Sequence, residues 1–289
     1  MTQTKPIIQT SLWKGYPIIR IEACEAQAVV SLLGGQVISY LPKGQEDMFW
    51  VSQTLKQPPS PIRGGVPVCW PYFSRQGQSE DVPFHGVARN AFWQLTSQHH
   101  HSDGRVTLRL DAPQFKNYAL RLSMELEIGH VLKQRILTKN IGDEGFSLTQ
   151  ALHSYFKVSK VDGVKVSGVN RCRFVDKYEG GLTAHQQLGD WTLNDRHNPG
   201  HSDRVYQDVK GRFEIVDENY KRSIQILTEG SQSLVIWNPG EIGAAELDDI
   251  GMQWSSFLCV ETVNAGEDVI KLAPGEEHSL AHTLSIQSL

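Results

Sequence analysis

The chain is short of most features that announce a function. Its four cysteines, Cys24, Cys69, Cys172 and Cys259, stand far apart, and no C-x-x-C pair occurs. That spacing argues against a zinc or dithiol redox motif and suits buried thiols in a reducing compartment. No apolar run reaches membrane-spanning length, and the opening "MTQTKPIIQTSLWKG" lacks the apolar stretch of a secretory signal. A cytoplasmic protein, with no membrane partner, is expected. Lys and Arg number 28 against 32 Asp and Glu, a net charge of −4. Without a basic stripe, nucleic acid is not an expected partner, and the short patches "NYKRS" and "NRCR" read as solvated surface. An anion would have to be held by a few placed arginines. There is no G-x-S-x-G, and neither Gly-Gly-rich stretch precedes a helix, so the common hydrolase and nucleotide-binding templates do not apply. Helical periodicity is scarce too, and only "ELDDIGMQW" suggests a short turn.

Alternation with period two is what the sequence has in quantity. "LRLSMELEI" (120–128) sets Leu120, Leu122, Met124, Leu126 and Ile128 on one face and Arg121, Ser123, Glu125 and Glu127 on the other. "RVTLRLDA", "GVKVSGV" and "HSLAHTLSIQ" repeat the pattern, as half-buried strands do. Turn signals punctuate these runs, among them "NIGDEG", "APGEE" and "NPG" twice. With 39% hydrophobic residues, 25 Gly and 13 Pro in 289 residues, the composition is that of a turn-rich globular chain able to bury a core without staples. Many short strands without crossover helices predict one large all-β domain over 1–289, an antiparallel sandwich or barrel. The least regular stretch, 181–204, predicts a functional or mobile loop.

Against that background a few polar residues stand in unusual company. His153, in "LTQALHSYFKV", has Leu148, Leu152 and Phe156 around it. It reads either as a satisfied structural histidine or as a general acid, since imidazole titrates near neutrality. Glu261 ends the apolar run "FLCV"; a buried carboxylate there has to be paired or functional. Asp203, in "HSDRVY", has the plain alternative of capping a turn. Arg63 in "PIRGG" and Arg89 in "FHGVARN" lie beside Gly- and Pro-rich backbone. Together they would form an anion clamp, because guanidinium matches phosphate oxygens, although two surface ion pairs would look the same. Trp237, Trp70, Tyr72 and Phe73 could supply either an aromatic wall for a sugar or core packing. His99, His100 and His101 invite a metal reading, but adjacent residues on a strand point to opposite faces.

Taken in order, "IRGGVPVCWPYF", "FHGVARN", "LHSYFKV", "VDKYEGG", "SDRVY", "VIWNPG" and "FLCVETVNA" resemble the hexose-6-phosphate mutarotase branch of the aldose 1-epimerase family. The resemblance covers essentially the whole chain. It implies a galactose-mutarotase-like fold, a large antiparallel β-supersandwich, and an isomerase that interconverts the α and β anomers of an aldohexose 6-phosphate without metal or cofactor. By the same resemblance His153 is the general acid, Glu261 the general base, and Asp203 a holder of sugar hydroxyls. Arg63 and Arg89 take the phosphate and His85 lines the sugar pocket. The implied partner is a small-molecule sugar phosphate, and a monomer is expected. Proximity of Glu261 and His153 across the bound sugar is expected to favour the ionised carboxylate and the protonated imidazole. Two alternatives remain open: an epimerase of neutral sugars, and a non-catalytic sugar-phosphate binder.

Overall fold

The alternating segments become strands because one face of each can be buried while the other stays wet. The computed structural model describes residues 6–197, 199–209 and 211–289. One eight-stranded sheet runs, from edge to edge, Val164–Ser167, Arg212–Asp217, Arg222–Glu229, Glu277–Ser288, Leu132–Asn140, Leu120–Ile128, Val106–Asp111 and Gln94–His100. The other runs Ala184–Gln186, Arg173–Asp176, Ser202–Gln207, Ser233–Asn238, Phe257–Asn264, Gln150–Leu152 and Val68–Cys69, with Tyr155–Lys157 also pairing with Phe257–Asn264. Pairings between neighbours in both sheets are antiparallel. A four-stranded meander spans Ile7–Trp13 to Gln36–Pro42. Among the described residues helix is confined to segments of one or two turns, the longer ones being Gly240–Ala244 and a 3₁₀ segment, Gly251–Ser256, near the "ELDDIGMQW" turn signal.

The main core lies between the two large sheets. Leu122, Leu126, Ile136, Ile226, Leu280 and Leu284 of the first pack in one cluster with Leu152, Tyr206, Leu234, Ile236, Leu258 and Val260 of the second. Each such aliphatic side chain contributes about 1.5–3 kcal/mol of transfer free energy. The strand Phe257–Asn264 is buried at every position, so its second face is covered as well. There Cys69, Phe73, Val205, Val235 and Val263 form one cluster, and Trp50, Tyr155, Ala244, Ile250, Phe257 and Cys259 another. A cavity opens between them.

Several local expectations need correction. The 181–204 stretch contains the strand Ala184–Gln186 and is anchored by fully buried Trp191, whose indole donates to Ser202 Oγ at 3.2 Å. Arg222, within "NYKRS", is buried and donates to the Lys157 carbonyl at 2.7 Å, whereas Arg171 and Arg173 of "NRCR" are exposed. Only Cys69 and Cys259 are buried; Cys24 and Cys172 are half-buried. Arg204 is buried as well, with its guanidinium bonded to both Asp195 oxygens at 2.5 and 2.7 Å and 3.7 Å from Asp176. Arg204→Ala leaves carboxylates without their cation and is expected to cost about 3–5 kcal/mol. A urea-denaturation midpoint equal to wild type would refute that.

Candidate active site

Register builds the floor of the cavity. Leu152 pairs with Thr262 and Tyr155 with Cys259, so the register is continuous across the break between the two short strands. The intervening His153 therefore stands opposite Glu261, and residues directly opposite share a face. On the other side Glu261 pairs with Val235, which pairs with Val205. The adjacent row on the same face is Asp203, Trp237, Cys259 and Tyr155. Asp203 is thus a mid-sheet residue rather than a turn cap.

Above this floor two loops bring in the remaining residues. Gly64 and Gly65, both at positive φ, pass so close to Trp50 and Val37 that a Cβ on either would strike backbone. This crossing delivers Arg63. In the second loop Gly86 lies against the Trp70 carbonyl with no room for a Cβ, and the preceding His85 is itself held at φ 66. The Ser74 amide donates to His85 Nδ1 at 3.0 Å, which leaves the ring proton on Nε2 as a donor. One turn of 3₁₀ helix, Ala88–Asn90, then carries Arg89.

All six expected site residues, Arg63, His85, Arg89, His153, Asp203 and Glu261, line one cavity of about 350 Å³. Arg63 and Arg89, with His153 and Tyr155, also border a neighbouring cavity of about 280 Å³ that Lys56 lines. Arg63 is partly engaged already: its Nε donates to Asp249 Oδ2 at 3.0 Å and its Nη1 to the Tyr155 hydroxyl at 3.1 Å. Arg89 Nη2 donates to the Phe84 carbonyl at 2.8 Å, while its buried Nε has no hydrogen-bond partner. Glu261 Oε2 and His153 Nδ1 are likewise buried without a partner. Buried polar atoms are normally satisfied, so three orphans around one cavity point to a polar ligand.

His153 Nε2 lies 3.5 Å from Glu261 Oε1. That separation would suit an ion pair, yet burial pushes the Glu261 carboxyl well above the carboxylate range. Burial, then the charges of Arg63 and Arg89, push the His153 imidazole well below its usual value. The burial effect governs here, because neither group has the further hydrogen bonds that would stabilise a buried charge. Burial thus favours the neutral pair, whereas the expected ionised pair is one formed across a bound sugar. The neutral and ionised pairs hold the same number of protons and differ by one transfer.

The aromatic expectations divide. Trp237 and Phe73 line the cavity, but Trp70 is fully buried with its indole donating to Thr138, and Tyr72 packs on Tyr118 and Phe146. The ring beside His153 is Tyr155, stacked at 4.9 Å and 9°; Phe156 faces the inter-sheet core. Sequence reasoning missed Tyr155, Lys177 and Asp249. The first two sit within the motifs "LHSYFKV" and "VDKYEGG", whereas Asp249 carries no sequence signal. Among the described residues two groups bring three potential ligand atoms together: His153, Cys259 and Glu261, of which His153 and Glu261 line the cavity, and Glu179, His185 and His197 outside it. The 99–101 histidines belong to neither; His99 and His100 end a strand, and His101 Nε2 bonds Thr107.

The family model described as aldose 1-epimerase matches residues 17–285. A protein of Escherichia coli K12 named "Putative glucose-6-phosphate 1-epimerase" is 32% identical over 274 residues, 92% of this chain and 89% of its own length. One of the same name from Cenchrus ciliaris is 30% identical over 86% of this chain and 78% of itself. The crystal structure of a Salmonella typhimurium protein titled "putative mutarotase (YeaD)" superposes with a TM-score of 0.88 at 27% identity, covering 98% of this chain and 94% of that one. A galactose mutarotase-like protein of Clostridium acetobutylicum shares the fold at a TM-score of 0.71 and 16% identity, covering 99% of each chain.

Proposed function

Since this chain belongs to the aldose 1-epimerase family, we propose that its substrate is an aldohexose 6-phosphate, glucose 6-phosphate above all, whose α and β anomers it interconverts. One observation carries the choice of a phosphorylated sugar: Arg63 and Arg89 line the same cavity as the His153–Glu261 pair. Two guanidinium groups match a dianionic phosphate, whereas a neutral hexose offers no charge for them to match.

The chemistry needs one base and one acid. Glu261 takes the proton from the anomeric hydroxyl while His153 gives one to the ring oxygen, and the C1–O5 bond breaks to the open aldehyde. Rotation about C1–C2 turns the other carbonyl face to the C5 hydroxyl. The ring closes with the proton transfers reversed. Each assisted proton transfer contributes about 10²–10⁴-fold. Asp203 and the Nε2–H of His85 hold sugar hydroxyls. The substrate also corrects the protonation state: a phosphate dianion between Arg63 and Arg89 cancels the positive charges that depress His153. The shared proton can then pass to the imidazole, leaving Glu261 ionised as the base.

The Arg63–Asp249 contact favours a second reading, an epimerase of neutral sugars, because it neutralises one of the two arginines. Exchange NMR separates the two. Faster anomer exchange with glucose 6-phosphate than with free glucose is the expected result. Equal acceleration of both sugars, or preference for the free sugar, would select the second reading. Tight binding of the phosphate without any acceleration would leave only a sugar-phosphate binder.

A further inference from the structure

We propose that Lys177 is a positioning residue of this site: set opposite Asp203 and facing the cavity, its ammonium favours, in the substrate complex, the Glu261 carboxylate that a base requires. This rests on the reading of Glu261 as the base.

The placement follows from register. In the pairing of Arg173–Asp176 with Ser202–Gln207, Val175 stands opposite Val205 and Asp176 opposite Arg204. One more step puts Lys177 opposite Asp203, at the end of the row that continues through Trp237 to Cys259. A turn of 3₁₀ helix, Lys177–Glu179, begins there. The Asp176 side chain caps it by accepting from the Tyr178 amide, and Gly180 closes it at φ 81. Lys177 Nζ ends 3.9 Å from Asp203 Oδ1 and 4.7 Å from the Phe73 ring centroid. It lines the cavity with Glu261, whereas the neighbouring cavity is bordered by Arg63 and Arg89 but not by Lys177.

The other groups around Glu261 do not supply this charge: in the substrate complex the Arg63 and Arg89 guanidiniums of the same cavity are matched by the phosphate. Burial pushes the Cys69 thiol up to about 12 and the Cys259 thiol and Tyr155 phenol upward, so all three are neutral. Burial favours the neutral form of His153, and Asp203 raises the Glu261 carboxyl further. Among the described residues Lys177 is the cation that pulls Glu261 back toward ionisation.

The test is the pH profile of kcat for glucose 6-phosphate, which reports the substrate complex where Glu261 is the ionised base, in wild type, Lys177→Met and Lys177→Arg, with the Glu261 carboxyl followed by infrared difference spectroscopy against Glu261→Gln. Loss of the positive charge raises the Glu261 pKa. The acid limb is therefore expected to move up by about one pH unit in Lys177→Met, with about a tenfold deficit below the limb that closes as pH rises. Lys177→Arg restores the limb. Asp203→Asn moves it the opposite way, since Asp203 raises the same carboxyl. A deficit independent of pH, with the carboxyl titration unmoved, would reduce Lys177 to a structural partner of Asp203 and overturn the proposal. If the wild type does not accelerate glucose 6-phosphate exchange, the substrate reading fails by itself, and the carboxyl titration still decides whether Lys177 acts on Glu261.

Discussion

Glu261→Gln lowers kcat for anomer exchange of glucose 6-phosphate by about 10²–10⁴-fold and leaves binding of the sugar phosphate near wild type. Exchange NMR measures the first and titration calorimetry the second. The substitution is close to isosteric with the protonated carboxyl that burial favours at Glu261. A carboxyl raised in the folded state loses folding stability as pH rises through the interval above its unfolded pKa. Glutamine has no charge to bury, so the variant is expected to be at least as stable as wild type at neutral pH. Loss of turnover with the fold intact therefore reports on chemistry. Wild-type exchange rates in Glu261→Gln would remove Glu261 from the mechanism, and with it the pairing with His153 at 3.5 Å.

Arg89→Ala should lower kcat/KM for glucose 6-phosphate by about 10–100-fold, the worth of one charge-assisted contact to an anion. Most of the loss is expected in KM, because the phosphate is held equally in the ground and transition states. Free glucose should be handled no worse than by the wild type. Arg89 is the sharper choice than Arg63, whose Nε and Nη1 are engaged with Asp249 and Tyr155 and whose loss would free a partly buried carboxylate. Arg89 Nε has no hydrogen-bond partner, and its Nη2 meets one backbone carbonyl. A fall in kcat with KM unchanged would mean that the catalytic and phosphate ends of the cavity have been exchanged. Parallel steady-state curves with the two sugars decide the matter.

Strands were legible where the pattern is local. The run 120–128 became the strand Leu120–Ile128, and "HSLAHTLSIQ" lies within Glu277–Ser288. Both lie in a sheet with one face on the main core, so the environment of most of their residues follows from parity along the chain. Legibility failed where burial had a second cause. Ser123 belongs to the polar half of its strand yet is buried. Arg222 looks like solvated surface in sequence but is enclosed and bonded to the Lys157 carbonyl. A buried guanidinium and an exposed one have the same neighbours in sequence; the backbone carbonyls that satisfy the buried one come from elsewhere in the chain.

The same division runs through the site. The sequence by itself determined which residue types could act: an acid after an apolar run at Glu261, a histidine among apolar neighbours at His153, arginines beside glycines at 63 and 89. It also determined the all-β class, because period-two alternation is a local property of the chain. Only the tertiary structure decided that His153 faces Glu261, that Tyr155 rather than Phe156 stacks on it, and that Asp249 reaches Arg63 across 186 positions. It also set the directions in which the pKa values of the central pair move, since a pKa depends on how much water and which charges surround a group. Register, burial and field are sums over strands remote in sequence, and no window along the chain contains them.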